Sequence, residues 1–218
     1  MLDTAVKPRY DGCMNNSRNS QLSPPATVGL LGGSFNPAHA GHVHISREAI
    51  KRLGLDAVWW LLSPQNPLKS RDDMAPYATR AAHAEALLKS QPRIQLSHFE
   101  QEHGLQYTCD TVAALQRAYP QTRFVWLMGA DNLHSFHRWK NAEDIAARIP
   151  ICVFDRAPFS FSALASKTAK RYASERVTPR ALVSTPSPAW SYLFIPRHSA
   201  SATEIREKAG KSSPFVQE

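Results

Sequence analysis

The stretch from Gly32 to His42, GGSFNPAHAGH, sets two imidazoles three residues apart behind a glycine pair. Gly32 and Gly33 let main chain turn tightly and approach a ligand with no Cβ in the way. His39 and His42, at the start of a helix, can project to one side. A helix beginning carries unpaired N–H groups and partial positive charge, which suits phosphate. Two imidazoles there add donors without lysine's fixed charge. The segment is neither a Walker A loop, for no GK[ST] follows, nor GxGxxG. A metal reading of His39, His42 and His44 finds no carboxylate to complete an HExxH-like pattern, so no metal ligands are assigned. The plainer alternative is that the histidines only pack.

Three further segments carry chemistry of the same kind. SATEIREK, Ser201 to Lys208, offers Ser201 or Thr203 as a helix cap and Arg206 as a fork for anions, although alone it reads as an ordinary capped helix. MGADNLHSFHRWK, Met128 to Lys140, ends a strand at Gly129 and follows it with Asp131, placed to hold ribose hydroxyls or a magnesium shell. Phe136 in that segment reads as core, and Trp139, between Arg138 and Lys140, as more exposed. The fourth is split: Lys69 sits on a proline-stiffened loop in SPQNPLKS, while Thr108, Asp110 and Thr111 open a helix in YTCDT, equally readable as caps.

These segments need a scaffold that brings distant loops together. Short apolar runs predict strands at Thr27–Gly33, Asp56–Ser63, Arg93–Ser97, Arg123–Asp131 and 151–156, with a sixth at 191–196. Between them lie helical patterns at 41–54, 76–90, 108–119 and 141–150, a basic helical stretch near Phe161–Ala173, and a last helix from Ser201. The alternation argues an α/β fold: a Rossmann-like, doubly wound parallel sheet with helices on both faces and a small C-terminal helical part. Ligands in such sheets bind outside the carboxyl ends of the strands, where strand order reverses. Residues 1–26 read as a disordered polar leader, 27–210 as the α/β domain and 211–218 as a tail.

The 218 residues, 43% hydrophobic and 20% charged, suit one domain with a buried core. No apolar run approaches the ~20 residues of a membrane helix, and no secretory h-region opens the chain. Cys13, Cys109 and Cys152 form no CxxC pair, which fits a reducing cytoplasm. The net charge of +8 is dispersed and not interleaved with aromatics as single-strand nucleic-acid binders require. A solvated surface explains many of these charges, steering of polyphosphate substrates is the functional alternative, and charge alone does not choose between them.

Together GGSFNPAHAGH, NPLK, YTCDT, GADNLHSFHRWK and SATEIR, in that order over Val28 to Lys208, resemble the HxGH nucleotidyltransferase superfamily. Within it the chain resembles the nicotinate-nucleotide adenylyltransferases. The resemblance implies transfer of the AMP moiety of ATP to nicotinate mononucleotide, with pyrophosphate released and Mg2+ carried on the ATP phosphates. It implies catalytic roles for His39, His42 and Arg206. Gly33, Ser34, Phe35, Gly129, Asp131, Ser201 and Thr203 would meet ATP and its phosphates; Lys69, Thr108, Asp110 and Trp139 would meet the mononucleotide. The family often reads ISST near its end where this chain reads SASAT, leaving the hydroxyl donor open among Ser199, Ser201 and Thr203. Other enzymes of the superfamily, acting on nicotinamide mononucleotide, pantetheine phosphate or cytidylyl donors, are the near alternatives. A homo-oligomer is compatible with the sequence.

Overall fold

The computed structural model describes residues 27–64, 74–156, 159–196, 202–209 and Phe215. The suggested leader, most of the tail, Lys69 and Ser201 therefore lie outside the described residues.

Strands β1 (Thr27–Gly33), β2 (Ala57–Leu62), β3 (Ile94–Ser97), β4 (Arg123–Gly129), β5 (Ile151–Phe154) and β6 (Trp190–Leu193) form one sheet in the order β3-β2-β1-β4-β5-β6. Every neighbouring pair is parallel. Sequence order reverses between β1 and β4, the central pair.

The strands read as apolar runs because both faces are covered. On one face Val28, Leu30, Trp126, Met128 and Val153 pack against α4 (Thr108–Ala118), α5 (Ala130–Ser135), α6 (Ala142–Arg148) and α8 (Lys167–Arg171). On the other, Leu31, Val58, Trp60, Leu127 and Phe154 meet α1 (Ala40–Leu53), α2 (Tyr77–Leu88) and α9 (Pro179–Leu182). Residues adjacent in a strand alternate between these two cores, as the pleat requires.

Several sequence expectations shift. The basic stretch near 161–173 is two short helices, α7 (Ser160–Leu164) and α8, because Ser166 caps the second by accepting from the Ala169 amide at 3.2 Å. Thr108 and Asp110 do not cap α4: the N-cap is Tyr107, which makes no side-chain cap bond. The predicted strand through Asp131 stops at Gly129, and Asp131 belongs to α5. The short helices α3 (Phe99–Glu102) and α9 carry too few residues to show a period.

Candidate active site

Strand order reverses between β1 and β4, and in a parallel sheet the carboxyl ends of such a central pair are where a ligand crevice is expected. Beyond β1 the chain turns at Phe35, which holds φ of 46° and is 2% exposed, its ring stacked on Trp60 at 4.9 Å. A non-glycine residue in the left-handed region persists only where its surroundings hold it there. Here the Trp60 stack is one such restraint. The Asn36 carboxamide is another, its Oδ1 accepting from the Ala75 amide at 3.1 Å. Gly32 faces a different neighbour: a Cβ there would come within 2.8 Å of the buried Trp126 ring.

At the start of α1, His39 is the N-cap and is 8% exposed. Its Nδ1 accepts from the Gly41 amide at 3.1 Å, and His42 Nδ1 accepts from the His39 amide at 3.1 Å. The ring centroids lie 3.8 Å apart. Since both Nδ1 atoms accept, each neutral ring carries its proton on Nε2. Burial, then the neighbouring His39 and Arg156, hold the His42 imidazole well below its ordinary range, so it is neutral near pH 7. Two of the helix-end amides expected to meet phosphate are thus already taken by the imidazoles. What the two rings keep as donors is the N–H at Nε2. His44 bonds the Pro196 carbonyl at 2.8 Å instead of joining the pair.

Across the crevice, Gly129 ends β4 and is the N-cap of α5. Its missing side chain has a specific use, because a Cβ would fall 2.4 Å from Asp131 Oδ1. That oxygen is buried without a hydrogen-bond partner among the described residues, while Oδ2 faces Arg156 Nη1 at 3.6 Å. Arg156 follows β5, so a cation stands at a third strand end.

From the far end of the sequence, α10 (Ala202–Ala209) brings Arg206 to the turn after β1, where Nη1 donates to the Asn36 carbonyl. Nη2 lies 3.5 Å from Thr203 Oγ1. The first loop and the last helix therefore meet.

The remaining candidates gather beside the α4 face. Asp110 pairs with Lys140 at 3.2 Å, and Lys140 Nζ stands 4.3 Å over the Tyr107 ring. Thr108 is half-buried on the first turn of α4. Trp139 is partly buried, edge-on to Trp126 at 6.3 Å and tilted against Phe136 at 5.3 Å. Phe136 is 1% exposed, a core residue. Trp126 touches Gly32 on one side and Trp139 on the other, so the tryptophan lies one ring away from the turn.

Sequence reasoning passed over Arg80, Arg156 and Asn36. Arg156 was findable, since it lies two residues past the carboxyl end of β5. Arg80 carried no signal: one arginine in an alanine-rich helix reads as solvated.

Comparison with known proteins places these features in a lineage. The model of the cytidylyltransferase-like family matches residues 30–208. A Cereibacter sphaeroides protein named "Probable nicotinate-nucleotide adenylyltransferase" is 50% identical over 183 residues, 82% of this chain and 95% of the relative. One of the same name from Parvibaculum lavamentivorans is 48% identical, over 90% of this chain and 98% of its own length. In three dimensions the chain resembles the Plasmodium falciparum nicotinic acid mononucleotide adenylyltransferase complexed with NaAD, with a TM-score of 0.65 at 17% identity and 85% of each chain covered. That likeness bears on the fold. On the family match and on relatives nearly its equal in length, the chain belongs to the nicotinate-nucleotide adenylyltransferases of the cytidylyltransferase-like family.

Proposed function

We propose that this chain joins nicotinate mononucleotide to the AMP part of ATP through the crevice between β1 and β4. The observation that carries this reading is the reciprocal His39–His42 pair at the reversal of strand order, with Arg206 reaching the same turn.

The reaction brings its own nucleophile. An oxygen of the mononucleotide 5′-phosphate attacks the α-phosphorus of ATP. The bond from that phosphorus to the bridging oxygen breaks, and pyrophosphate leaves with the electron pair. The attacking phosphate is already ionised, so no protein base is required. The protein's part is positioning and charge stabilisation, as in phosphoryl transfer generally. Alignment of two bound reactants is worth ~7–11 kcal/mol. Neutral imidazole N–H donors placed where charge develops add to that, about 3 kcal/mol for each donor.

His39, His42 and Arg206 are assigned to the phosphates and the transition state. Gly33, Ser34 and Phe35 present backbone to them, with Ser201 and Thr203 as hydroxyl donors. Gly129 and Asp131 are assigned to the adenosine side. Trp139, with Thr108, Asp110 and Lys69, is assigned to the mononucleotide, the indole beside the pyridine ring. ATP enters as its magnesium complex, so the metal belongs to the substrate. We place the activity in the cytoplasm and in a single α/β domain spanning 27–210.

A coupled pyrophosphate-release assay with nicotinate and nicotinamide mononucleotides in parallel tests the reading. Turnover with the nicotinate form supports it. Turnover only with the nicotinamide form, or with pantetheine phosphate, would move the chain to a neighbouring branch.

A further inference from the structure

Arg80 is 1% exposed, the most deeply buried charged side chain among the described residues. A guanidinium removed from water normally needs a carboxylate or a full set of acceptors. The hydrogen-bond acceptors of Arg80 among the described residues are backbone carbonyls, and its guanidinium also stands 5.4 Å from the centroid of the Tyr77 ring. Nε donates to Ala75 at 2.9 Å; Nη1 donates to Ser34 at 2.7 Å and Ser63 at 2.9 Å; Nη2 donates to Pro64 at 3.0 Å. Those carbonyls belong to three separate places: the turn after β1, the end of β2, and the residue pair before α2. Asn36 adds a crosslink, its carboxamide oxygen holding the Ala75 amide at 3.1 Å.

A planar fork with donors in fixed directions constrains main chain in a way a point charge does not. An apolar side chain would fill the same space and remove all four of these donors. One of these bonds, to the Ser34 carbonyl, is made to the turn that leads within eight residues to His42, and Ala75 reaches the same turn through Asn36.

We infer that Arg80 is a positioning residue for nucleotidyl transfer: its guanidinium locks the turn after β1 against the chain flanking residues 65–73, and so sets where the His39–His42 pair stands. This rests on the function proposed above. Arg80 contacts no substrate. It acts through Ser34, and through Ala75 to Asn36, whose carbonyl also receives Arg206.

The test compares wild type with Arg80→Ala, Arg80→Lys and Ala84→Gly, the last loosening the same helix one turn further along at a fully buried position. Thermal midpoints, kcat and the KM for each substrate are measured where every variant is folded. Arg80→Ala is expected to lose about 100-fold in kcat, the scale of an ångström misplacement. Arg80→Lys should restore little of it, and Ala84→Gly should keep wild-type kinetics. Low-millimolar guanidinium should recover several-fold activity in Arg80→Ala and change nothing in wild type. Unaltered kinetics in Arg80→Ala, an equal loss in Ala84→Gly, absence of guanidinium rescue, or failure of both Arg80 variants to fold would each overturn the inference. Wild-type protein that makes no dinucleotide overturns the proposed function instead; active wild type with an indifferent Arg80 overturns the positioning role alone.

Discussion

The main-chain N–H of His39 donates to Nδ1 of His42 at 3.1 Å, and this one bond fixes which nitrogen of the second ring is protonated. Replacing His42 by alanine removes the Nε2 donor and leaves the His39 amide without its acceptor. Turnover should fall by ~100-fold or more, with the far-ultraviolet circular dichroism unchanged. A His42→Ala enzyme with wild-type kcat would remove the pair from the phosphate site.

The same ring sets an acid limit. Its affinity for a proton is lowered chiefly by burial, so the fold binds fewer protons at this position than the unfolded chain does below pH 6.5. The stability linked to His42 is therefore fully present above pH 6.5 and declines as pH falls from there through the lowered folded value. Activity should not follow an ordinary histidine titration near 6.5, which a kcat profile across pH 5 to 8 checks.

Trp139 touches Phe136 and Trp126 rather than the histidine pair. Its truncation to alanine should raise the KM for the mononucleotide by roughly tenfold, about 1.4 kcal/mol of lost contact, while the KM for ATP moves little. Initial-rate kinetics with each substrate varied in turn decides this. Equal shifts in both constants would take the indole away from the pyridine ring.

Gly129 has φ of −77°, a value alanine also adopts, so Gly129→Ala introduces no backbone strain. What it introduces is a methyl group 2.4 Å from Asp131 Oδ1. The carboxylate must swing aside, and the KM for ATP should rise roughly tenfold from misplacement alone. The thermal midpoint should stay within a few degrees, because the displaced group ends a flexible side chain. A large thermal loss with normal ATP kinetics would contradict that division.

Glu100, 7% exposed and accepting from the Thr111 hydroxyl at 2.9 Å, has its pKa pushed up to about 7 by burial. A carboxyl raised by folding stabilises the fold below its ordinary range near 4.5 and loses that contribution as pH rises through about 7. Glu100→Gln keeps an acceptor for Thr111 and cannot ionise. It should be more stable than wild type at pH 8, by roughly 3 kcal/mol at most, and show a flatter dependence of Tm on pH between 5 and 8. Thermal melts at three pH values measure this.

The sheet was readable in the chain because its strands are buried on both faces: Val28 to Leu31 and Phe124 to Met128 are unbroken apolar runs. The crevice followed from parallel topology, since the glycine-rich turn and the GAD segment each close a strand. The stretch near 161–173 hid its break because Ser166 looks polar and incidental until its hydroxyl is seen capping α8. Nor could a linear reading say that the imidazoles consume helix-end amides, which depends on side-chain torsions. Arg80 was invisible for a related reason. Its acceptors are carbonyls, and every residue has one.

Gly32 and Trp126 divide a single volume between neighbouring strands, since the indole occupies the space a side chain on residue 32 would take. The two positions are therefore one design variable. Enlarging residue 32 while the indole stays should fail, and shrinking residue 126 alone should leave a hole beneath Trp139. Only paired exchanges, gaining bulk on β1 and shedding it on β4, can reshape the floor of the crevice without emptying or overfilling it.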